Sequence, residues 1–472
     1  MGCQSMTGGL HIQLRQLNYI QVSWGRRRLS NRTILTLMLW RRARATPPLV
    51  VTVGPSGTMT KTAVEHTQTG ASLWTHLTSW LVEQVGVSLI GRPMHGSLTV
   101  IFPNGRTRTV GQGNPGEHAT LRLNNLKVIS EAMQRGTVGF AAAYMNGDIE
   151  SDDLTALFRF FLQNRDMFDA AGKGFFRRAA GDLHYHLSRR NTLEGSKKNI
   201  AEHYDLGNDF YGQWLDPSMT YSSAVFTSGD QSLEEAQLAK YRRVADMAGI
   251  TEGSSVLEIG CGWGGFAETV ARDYKANLRG ITLSAEQLKF GLERLKRQGL
   301  DEYASLVFED YRHTQGQFDH IGSIEMIEAV GEDNWPSYFQ TLHDRLKPGG
   351  TAAIQAITIN EADFEGYRSG PDFIQRYIFP GGMLLTKTVM KEFGERYGLV
   401  LEQVETFGQS YARTLRLWRE RFLERWPMIA PLGYDEFFKR KWVYYLSYCE
   451  AGFAEGSIDV GIYQYRRPTS PK

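Results

Sequence analysis

The chain reads as an α/β protein: a doubly wound, mostly parallel Rossmann-like sheet preceded by a smaller α+β body. Three features of its 472 residues carry that reading. One is Val256-Leu257-Glu258-Ile259-Gly260-Cys261-Gly262-Trp263-Gly264-Gly265-Phe266, an apolar strand that runs into a glycine turn and opens a helix. Another is the alternation of short apolar runs with amphipathic helical stretches downstream of it, the pattern of repeated βα units. The third is length, which suffices for two or three domains with substantial cores.

The first 58 residues are basic. No Asp or Glu precedes Glu65, whereas Arg15, Arg26, Arg27, Arg28, Arg32, Arg41, Arg42 and Arg44 crowd the segment. A targeting peptide, a basic arm for anionic lipid and translated sequence upstream of the real start all fit such a composition. The last is favoured, with Met59 as the working start and residues 1–58 as an extension, disordered or not translated. The apolar run at 33–40 is too short to span a bilayer, and Arg41-Arg42 do not make a small-residue cleavage site. Neither a signal peptide nor a transmembrane helix is expected.

Residues 59–170 are read as a small α+β domain. Leu98, Val100 and Phe102 alternate before Pro103-Asn104-Gly105, and Thr107 and Thr109 follow, which gives a strand, a turn and a returning strand. Residues 119–123 offer another strand. Ser151-Asp152-Asp153 ahead of Leu154, Leu157, Phe158 and Phe161 reads as the cap of an amphipathic helix. Nothing here looks catalytic, so a packing or homodimerisation module is the expectation. Residues 171–198 form a basic connector, with Phe175 and Phe176 ahead of Arg177, Arg178, Arg189, Arg190 and Lys197. A solvated linker is favoured there, and attraction to an anionic membrane surface is the sharper alternative.

The catalytic-looking domain spans 199–472. Strands are expected at 256–259, 278–282, 306–308, 320–324 and 351–357, with crossover helices at 285–298 and 335–346. Lys347-Pro348-Gly349-Gly350 should stop the last of these helices and turn the chain into the next strand. A late strand at 458–465 would add the antiparallel member.

A formal net charge of +2 gives no electrostatic footprint for nucleic acid. Cys3, Cys261 and Cys449 are odd in number and far apart, without a CxxC or Cys/His cluster, so a reducing compartment and no metal site are expected. Gly260, Gly262 and Gly264 let the backbone approach a ligand closely. Glu258 stands where dinucleotide-binding strands are usually apolar, and no Lys-Ser or Lys-Thr follows to hold a phosphate. A cofactor without a pyrophosphate is therefore favoured.

At these residues the chain resembles the S-adenosylmethionine-dependent methyltransferases, in which the acidic residue helps to fix the loop around the cofactor's amino-acid portion. A narrower resemblance is carried by His203-Tyr204-Asp205-Leu206-Gly207-Asn208-Asp209-Phe210-Tyr211, Met219-Thr220-Tyr221-Ser222-Ser223-Ala224 and Leu233-Glu234-Glu235-Ala236-Gln237. It continues through Gly280-Ile281-Thr282-Leu283-Ser284, Ile327-Glu328-Ala329-Val330-Gly331, Ile378-Phe379-Pro380-Gly381-Gly382 and Ser410-Tyr411-Ala412-Arg413-Thr414-Leu415. From about His203 to its end the chain is similar to the cyclopropane-fatty-acyl-phospholipid synthases and mycolic acid cyclopropane synthases.

That resemblance implies a class I methyltransferase sheet with a lipid-accepting helical cap. It implies transfer of a methyl or methylene group from S-adenosylmethionine to the cis double bond of an unsaturated phospholipid acyl chain, through a carbocation, to form a cyclopropane. Loss of a different proton would leave a methylene- or methyl-branched chain. By resemblance Gly260, Gly262 and Gly264 line the methionine portion with Glu258, and Tyr221 and Ser222 close over it. Thr282 and Gln287 fall where the ribose is contacted, Asp310 and Tyr311 where the adenine is. The proton acceptor implied is a bound bicarbonate, with Glu328 and Tyr411 among its holders. Ser223 stands where many members have Cys, and Gln355 where many have His. Both can donate a hydrogen bond, but neither supplies an imidazole's proton or charge.

Tyr204, Phe379 and Gly381 border the substrate by resemblance. Leu415, Trp418, Phe422 and Trp426 recur at helical spacing as core or tunnel wall. The partner implied is unsaturated phospholipid in a membrane surface, and the location is cytoplasmic, at the inner face of the membrane. Two alternatives belong to other classes. Ile324-Glu325-Met326 matches a pattern of plant alkaloid N-methyltransferases, which would make the acceptor a small amine; a lipid-binding protein that merely retains the fold is the non-enzymatic reading.

Overall fold

The computed structural model describes residues 93–167 and 206–469 except 371, together with three short strands nearer the start. Those strands are β1 (Thr36–Met38), β2 (Leu49–Val53) and β3 (Met59–Ala63), which pair antiparallel in the order β1-β2-β3. The extension expected at 1–58 thus contains two strands, and Met59 begins the third. The basic connector at 171–198, His203 and Tyr204 lie outside the described residues.

The body at 93–167 begins with β4 (Ser97–Ile101), β5 (Thr107–Val110) and β6 (His118–Leu123). Helix α1 (Lys127–Met145), β7 (Ile149–Glu150) and α2 (Leu154–Gln163) follow. The sheet order is β5-β4-β6-β7, with the β4–β6 pair parallel. Alternate residues Leu98, Val100, Ala119, Leu121 and Leu123 are buried, as a half-buried sheet requires. Asp153 caps α2 by accepting the Ala156 N–H at 3.0 Å. Helix α1 was not expected from the sequence, and its interior carries a non-helical Gly136 (φ 54°).

The second body opens with α3 (Asn208–Trp214) and α4 (Leu233–Ala248), the latter begun by a Ser232/Glu235 capping box. The βα series is β8 (Ser255–Ile259), α5 (Gly265–Thr269), β9 (Asn277–Thr282), α6 (Ala285–Arg297), β10 (Ala304–Phe308) and β11 (Phe318–Ile324). Then come α7 (Trp335–Arg345), β12 (Leu346–Ile359), α8 (Glu361–Arg368), α9 (Phe373–Tyr377) and α10 (Lys387–Arg396). The last elements are β13 (Val400–Thr406), α11 (Gly408–Ile429), α12 (Glu436–Ala454) and β14 (Ile458–Arg466).

The seven-stranded order is β10-β9-β8-β11-β12-β14-β13. Only β14 runs against its neighbours, pairing antiparallel with both β12 and β13. This is the doubly wound sheet that the sequence predicts, and it puts the carboxyl ends of β8 and β11 side by side, the edge where such sheets bind ligands. One detail differs. Lys347-Pro348-Gly349-Gly350 does not precede the strand but belongs to it, because α7 already ends at Arg345. A register shift against β11 between Phe318 and His320 accommodates these residues, with Gly349 at φ 83°.

Candidate active site

Strand β8 is buried on both faces, with Val256 and Leu257 wholly inaccessible. The three glycines after it have φ values of 83°, 51° and 80°, a backbone region that L side chains rarely enter. Their surroundings differ. A methyl on Gly260 would lie 2.7 Å from Met326 Cγ, and one on Gly264 would press on Leu306 and Gly291, whereas one on Gly262 would meet no atom within 4 Å. Gly260 and Gly264 are packing positions, and Gly262 floors open space.

Glu258 is 2 % exposed and its Oε2 finds no hydrogen-bond partner among the described residues. Burial pushes its carboxyl up to about 8, against the pull of Lys240 and Arg294. Lys240 is wholly buried, and burial brings it down to about 7 while Glu325, Asp216 and Glu258 oppose that shift. Its Nζ donates to Ser222 Oγ at 2.6 Å, and Gln237 Nε2 donates to Ser222 O at 2.8 Å. Helix α4 thereby pins the 221–223 strap beside β8. An orphaned buried carboxylate oxygen beside an unfilled glycine floor fits a ligand that carries a cationic amino-acid end, as S-adenosylmethionine does.

Around the next strand ends the polar groups are bonded to one another. Thr282 Oγ1 accepts the Ser284 N–H at 3.1 Å and donates to Gln287 Oε1 at 3.3 Å. Asp310 caps a short 3-10 turn and pairs with Arg312 at 2.6 Å. Against the upward push of burial, these bonds hold its carboxyl below the usual value. Tyr311 shares a 3.2 Å hydrogen bond with Ser337 Oγ.

A cavity of about 530 Å³ opens among β11, β12, α8, α11 and α12, and its lining is mostly apolar: Ile357, Ile359, Ile374, Met383, Leu384, Leu415 and Phe453, with the rings of Tyr221, Phe379, Tyr411 and Tyr445. Two carboxylates, Glu325 and Glu328, reach it from the turn after β11. Met326, between them, is the residue that Gly260 approaches, so the cavity and the glycine turn adjoin.

Glu325 is the centre of this end of the cavity. Its Oε1 accepts from the Ser223 N–H at 2.8 Å and Gln355 Nε2 at 2.7 Å, and its Oε2 from the Tyr411 hydroxyl at 2.7 Å. Burial raises its carboxyl while those three donors and Lys240 hold it down. Its backbone lies at φ 49°, a strained conformation for a residue with a side chain. Glu328 is less well partnered. Its Oε1 accepts the Ile357 N–H at 2.6 Å, and its Oε2 has no partner among the described residues. Burial and the charge of Glu325 push it up to about 8.

Of the residues picked out in the sequence, Ser223, Gln355 and Tyr411 therefore meet at Glu325, with Glu328 on the same turn. Ser223 takes part through its backbone N–H, because its hydroxyl donates to Ala224 O at 2.9 Å. Phe379 faces the cavity, and Gly381 (φ 80°) forms the turn beside it. Tyr221 lines the cavity too, its hydroxyl donating to that of Tyr445 at 3.0 Å. Glu325 and Lys240 were not picked out as site residues. The three-residue spacing of two glutamates just after a strand was the available signal for Glu325; buried Lys240 had none beyond its helix motif. Bicarbonate does not fit this arrangement. The donors that would hold it are engaged by Glu325, and a second anion would lie against that carboxylate.

Comparison with known proteins agrees with this geometry. The family model described as mycolic acid cyclopropane synthetase matches residues 191–463. A tuberculostearic acid methyltransferase of Mycobacterium tuberculosis is 39% identical over 336 residues, 69% of this chain and 78% of the relative. The cyclopropane-fatty-acyl-phospholipid synthase of Escherichia coli K12 is 36% identical over 352 residues, 72% of this chain and 86% of the relative. Among solved structures, the cyclopropane synthase MmaA2 from M. tuberculosis superimposes with a TM-score of 0.54 at 30% identity, covering 57% of this chain and 98% of that one. A mycolic acid cyclopropane synthase complexed with SAH and CTAB gives 0.54 at 28% identity, again covering 57% and 98%. A coclaurine N-methyltransferase, at 19% identity and a TM-score of 0.52 over 70% of this chain and 98% of its own, shares the fold alone.

Proposed function

Because this chain belongs to the mycolic acid cyclopropane synthetase family of S-adenosylmethionine-dependent methyltransferases, we propose that it methylates the cis double bond of an unsaturated phospholipid acyl chain and closes a cyclopropane there. The observation that carries this reading is the mostly apolar cavity of about 530 Å³ that adjoins the glycine turn and holds two glutamates, Glu325 and Glu328, at that end. Such a lining accepts a hydrocarbon chain, and its Arg165, Asp363, Asp372 and Gln375 bond to one another and to backbone groups.

S-adenosylmethionine supplies an electrophilic methyl group. The chain's own residues do the rest: Glu258 and the open backbone at Gly262 seat the amino-acid end, and the 221–223 strap closes beside it. An alkene is a weak nucleophile, so alignment within the cavity is the main catalytic contribution. The apolar walls keep water from the carbocation, and the ring faces of Tyr221, Phe379, Tyr411 and Tyr445 stabilise it. The lipid would come from a membrane surface. Among the described residues no helix is long and apolar enough to cross a membrane, and exposed Met428 in the last turn of α11 and Leu432 just after that helix, 59 % and 45 % accessible, suit contact with one.

A branched product is the second reading. It is favoured by the departures at Ser223 and Gln355, and by a 39% relative that is named a methyltransferase rather than a cyclopropane synthase. The test is mass spectrometry of liposomes of monounsaturated phospholipid incubated with the protein and methyl-labelled S-adenosylmethionine. A gain of one methylene is expected, and fragmentation separates ring from branch. Bound cofactor with no lipid mass gain would overturn the lipid-methylation reading.

A further inference from the structure

We infer that Glu325 is the proton acceptor of this reaction, its own carboxylate standing where the family resemblance would put a bound bicarbonate. The inference rests on the methyl-transfer reading above and deepens it.

Three observations converge on Glu325. The groups that the resemblance assigns to bicarbonate do not surround a vacant centre: the Ser223 N–H, Gln355 Nε2 and Tyr411 hydroxyl all donate to the Glu325 carboxylate, at 2.7–2.8 Å. They arrive from the strap before α4, from β12 and from α11, so the convergence is tertiary and not a local turn. Next, the carboxylate lines the cavity. Its Oε1 accepts two bonds and its Oε2 one, which leaves Oε2 with a lone pair free to take a proton. Finally, the backbone at Glu325 is held at φ 49°. A left-handed conformation costs a residue with a side chain about 1–3 kcal/mol and persists where the surroundings over-determine it. What that conformation achieves here is the placement of a carboxylate at the mouth of the donor set.

The step balances without an added base. The π electrons of the alkene form a bond to the transferred methyl carbon as its bond to sulfur breaks, the electron pair staying on sulfur as a neutral thioether. The other alkene carbon is left cationic. A C–H bond of the new methyl gives its electron pair to that carbon, which closes the ring, and the proton passes to Oε2 of Glu325. If a C–H bond of the adjacent chain carbon supplies the pair instead, an alkene with a methyl branch results and the same oxygen takes the proton. Either way the carboxylic acid is reset by loss of the proton to water as the product leaves.

Bicarbonate provides the decisive test, because the wild-type chain suffices for it. Turnover of S-adenosylmethionine with monounsaturated liposomes is measured in buffer purged of carbon dioxide, with and without millimolar bicarbonate, and binding of ¹³C-labelled bicarbonate is followed by NMR line broadening. The expected result is an unchanged rate and no broadening. A rate that falls tenfold or more on purging and returns with bicarbonate overturns the proposal, as does specific broadening. Glu325→Gln keeps the side chain's shape and should lower kcat by about 10²–10⁴-fold while calorimetry finds S-adenosylmethionine bound within about threefold of wild type; wild-type turnover in this variant also overturns the proposal. Absence of any methylated lipid from the wild type would instead sink the methyl-transfer reading. In that event the NMR experiment still decides whether Glu325 occupies the anion's place.

Discussion

Glu325 and Glu328 share one cavity, yet their partners differ, and that difference separates their charges. Three donors hold Glu325, whereas Glu328 accepts from one and keeps a bare buried oxygen. Two like carboxylates in such settings divide into one ionised group and one that retains its proton. Burial, then the charge of Glu325, raises Glu328 to about 8. An unfolded glutamate titrates near ~4.3, so between the two values the folded chain binds the extra proton and stability falls as pH rises. The contribution is complete below the unfolded value and gone above about 8. Glu328→Gln imitates the protonated acid. It should melt with the wild type near ~pH 5 and above it near ~pH 8, by at most about 1.4 kcal/mol per pH unit of that window. Equal midpoints at both pH values would mean that Glu328 is ionised in the fold. Family motifs made Glu328 legible in the sequence. The centrality of Glu325 was not, because its partners Ser223, Gln355 and Tyr411 lie 102, 30 and 86 residues away.

At the scale of elements, the turn between β8 and α5 was the most readable part of the chain, because strand, glycines and helix are consecutive there. What sequence could not say is which glycine serves packing and which serves ligand. Gly260→Ala would set a methyl 2.7 Å from Met326 Cγ at φ 83°, displacing the residue beside Glu325, and should cost stability at 1–2 kcal/mol or more, as an order of magnitude for a left-handed position alone. Gly262→Ala meets no atom within 4 Å, so about 1–2 kcal/mol of backbone strain is its only structural cost. Its methyl enters the space assigned to the cofactor. Calorimetry should find S-adenosylmethionine affinity reduced roughly tenfold or more, a loss of about 1.4 kcal/mol, in a protein that still melts cooperatively. Wild-type affinity in Gly262→Ala would place the cofactor elsewhere. Elements whose signals are spread out were read less well. Helix α1 went unseen because Gly136 breaks it and no acidic first turn announces it. Lys347-Pro348-Gly349-Gly350 looked like a turn because local chemistry favours one; the flanking pairs Leu346–Phe318 and Thr351–His320, with backbone bonds between Gly349, Gly350 and Arg467, carry the strand past it.

Across the whole described molecule, the body at 93–167 and the helical cap over the sheet are one packed unit, although the sequence reads as two domains. Phe158 of α2 packs edge-on against Tyr444 of α12, ring centroids 4.9 Å apart, and both belong to the buried cluster that contains Tyr411 and Trp418. Glu450 ties three helices together: its Oε2 accepts from Arg419 of α11 at 2.9 Å and from Thr155 of α2 at 3.1 Å, with 8 % of the residue exposed. Leu162 and Arg165, at the end of the first body, also line the cavity. Loosening the junction should therefore act on the lipid site before the cofactor site, whose glycine turn sends Cys261 and Phe266 into a second cluster with Val256 and only Trp263 into the cluster of the cap. Glu450→Ala leaves Arg419 part-buried without its carboxylate and should destabilise the fold by about 2–4 kcal/mol. It should raise KM for monounsaturated phospholipid while S-adenosylmethionine binds within about twofold of wild type, because the bonds of Glu450 run to Arg419 and Thr155 and to no residue of the glycine turn. Denaturant melts followed by tryptophan fluorescence and by circular dichroism should coincide in wild type and variant. Two separated transitions in the wild type, with the lipid KM of the variant unmoved, would mean that the first body folds apart from the cap and walls no part of the acyl cavity.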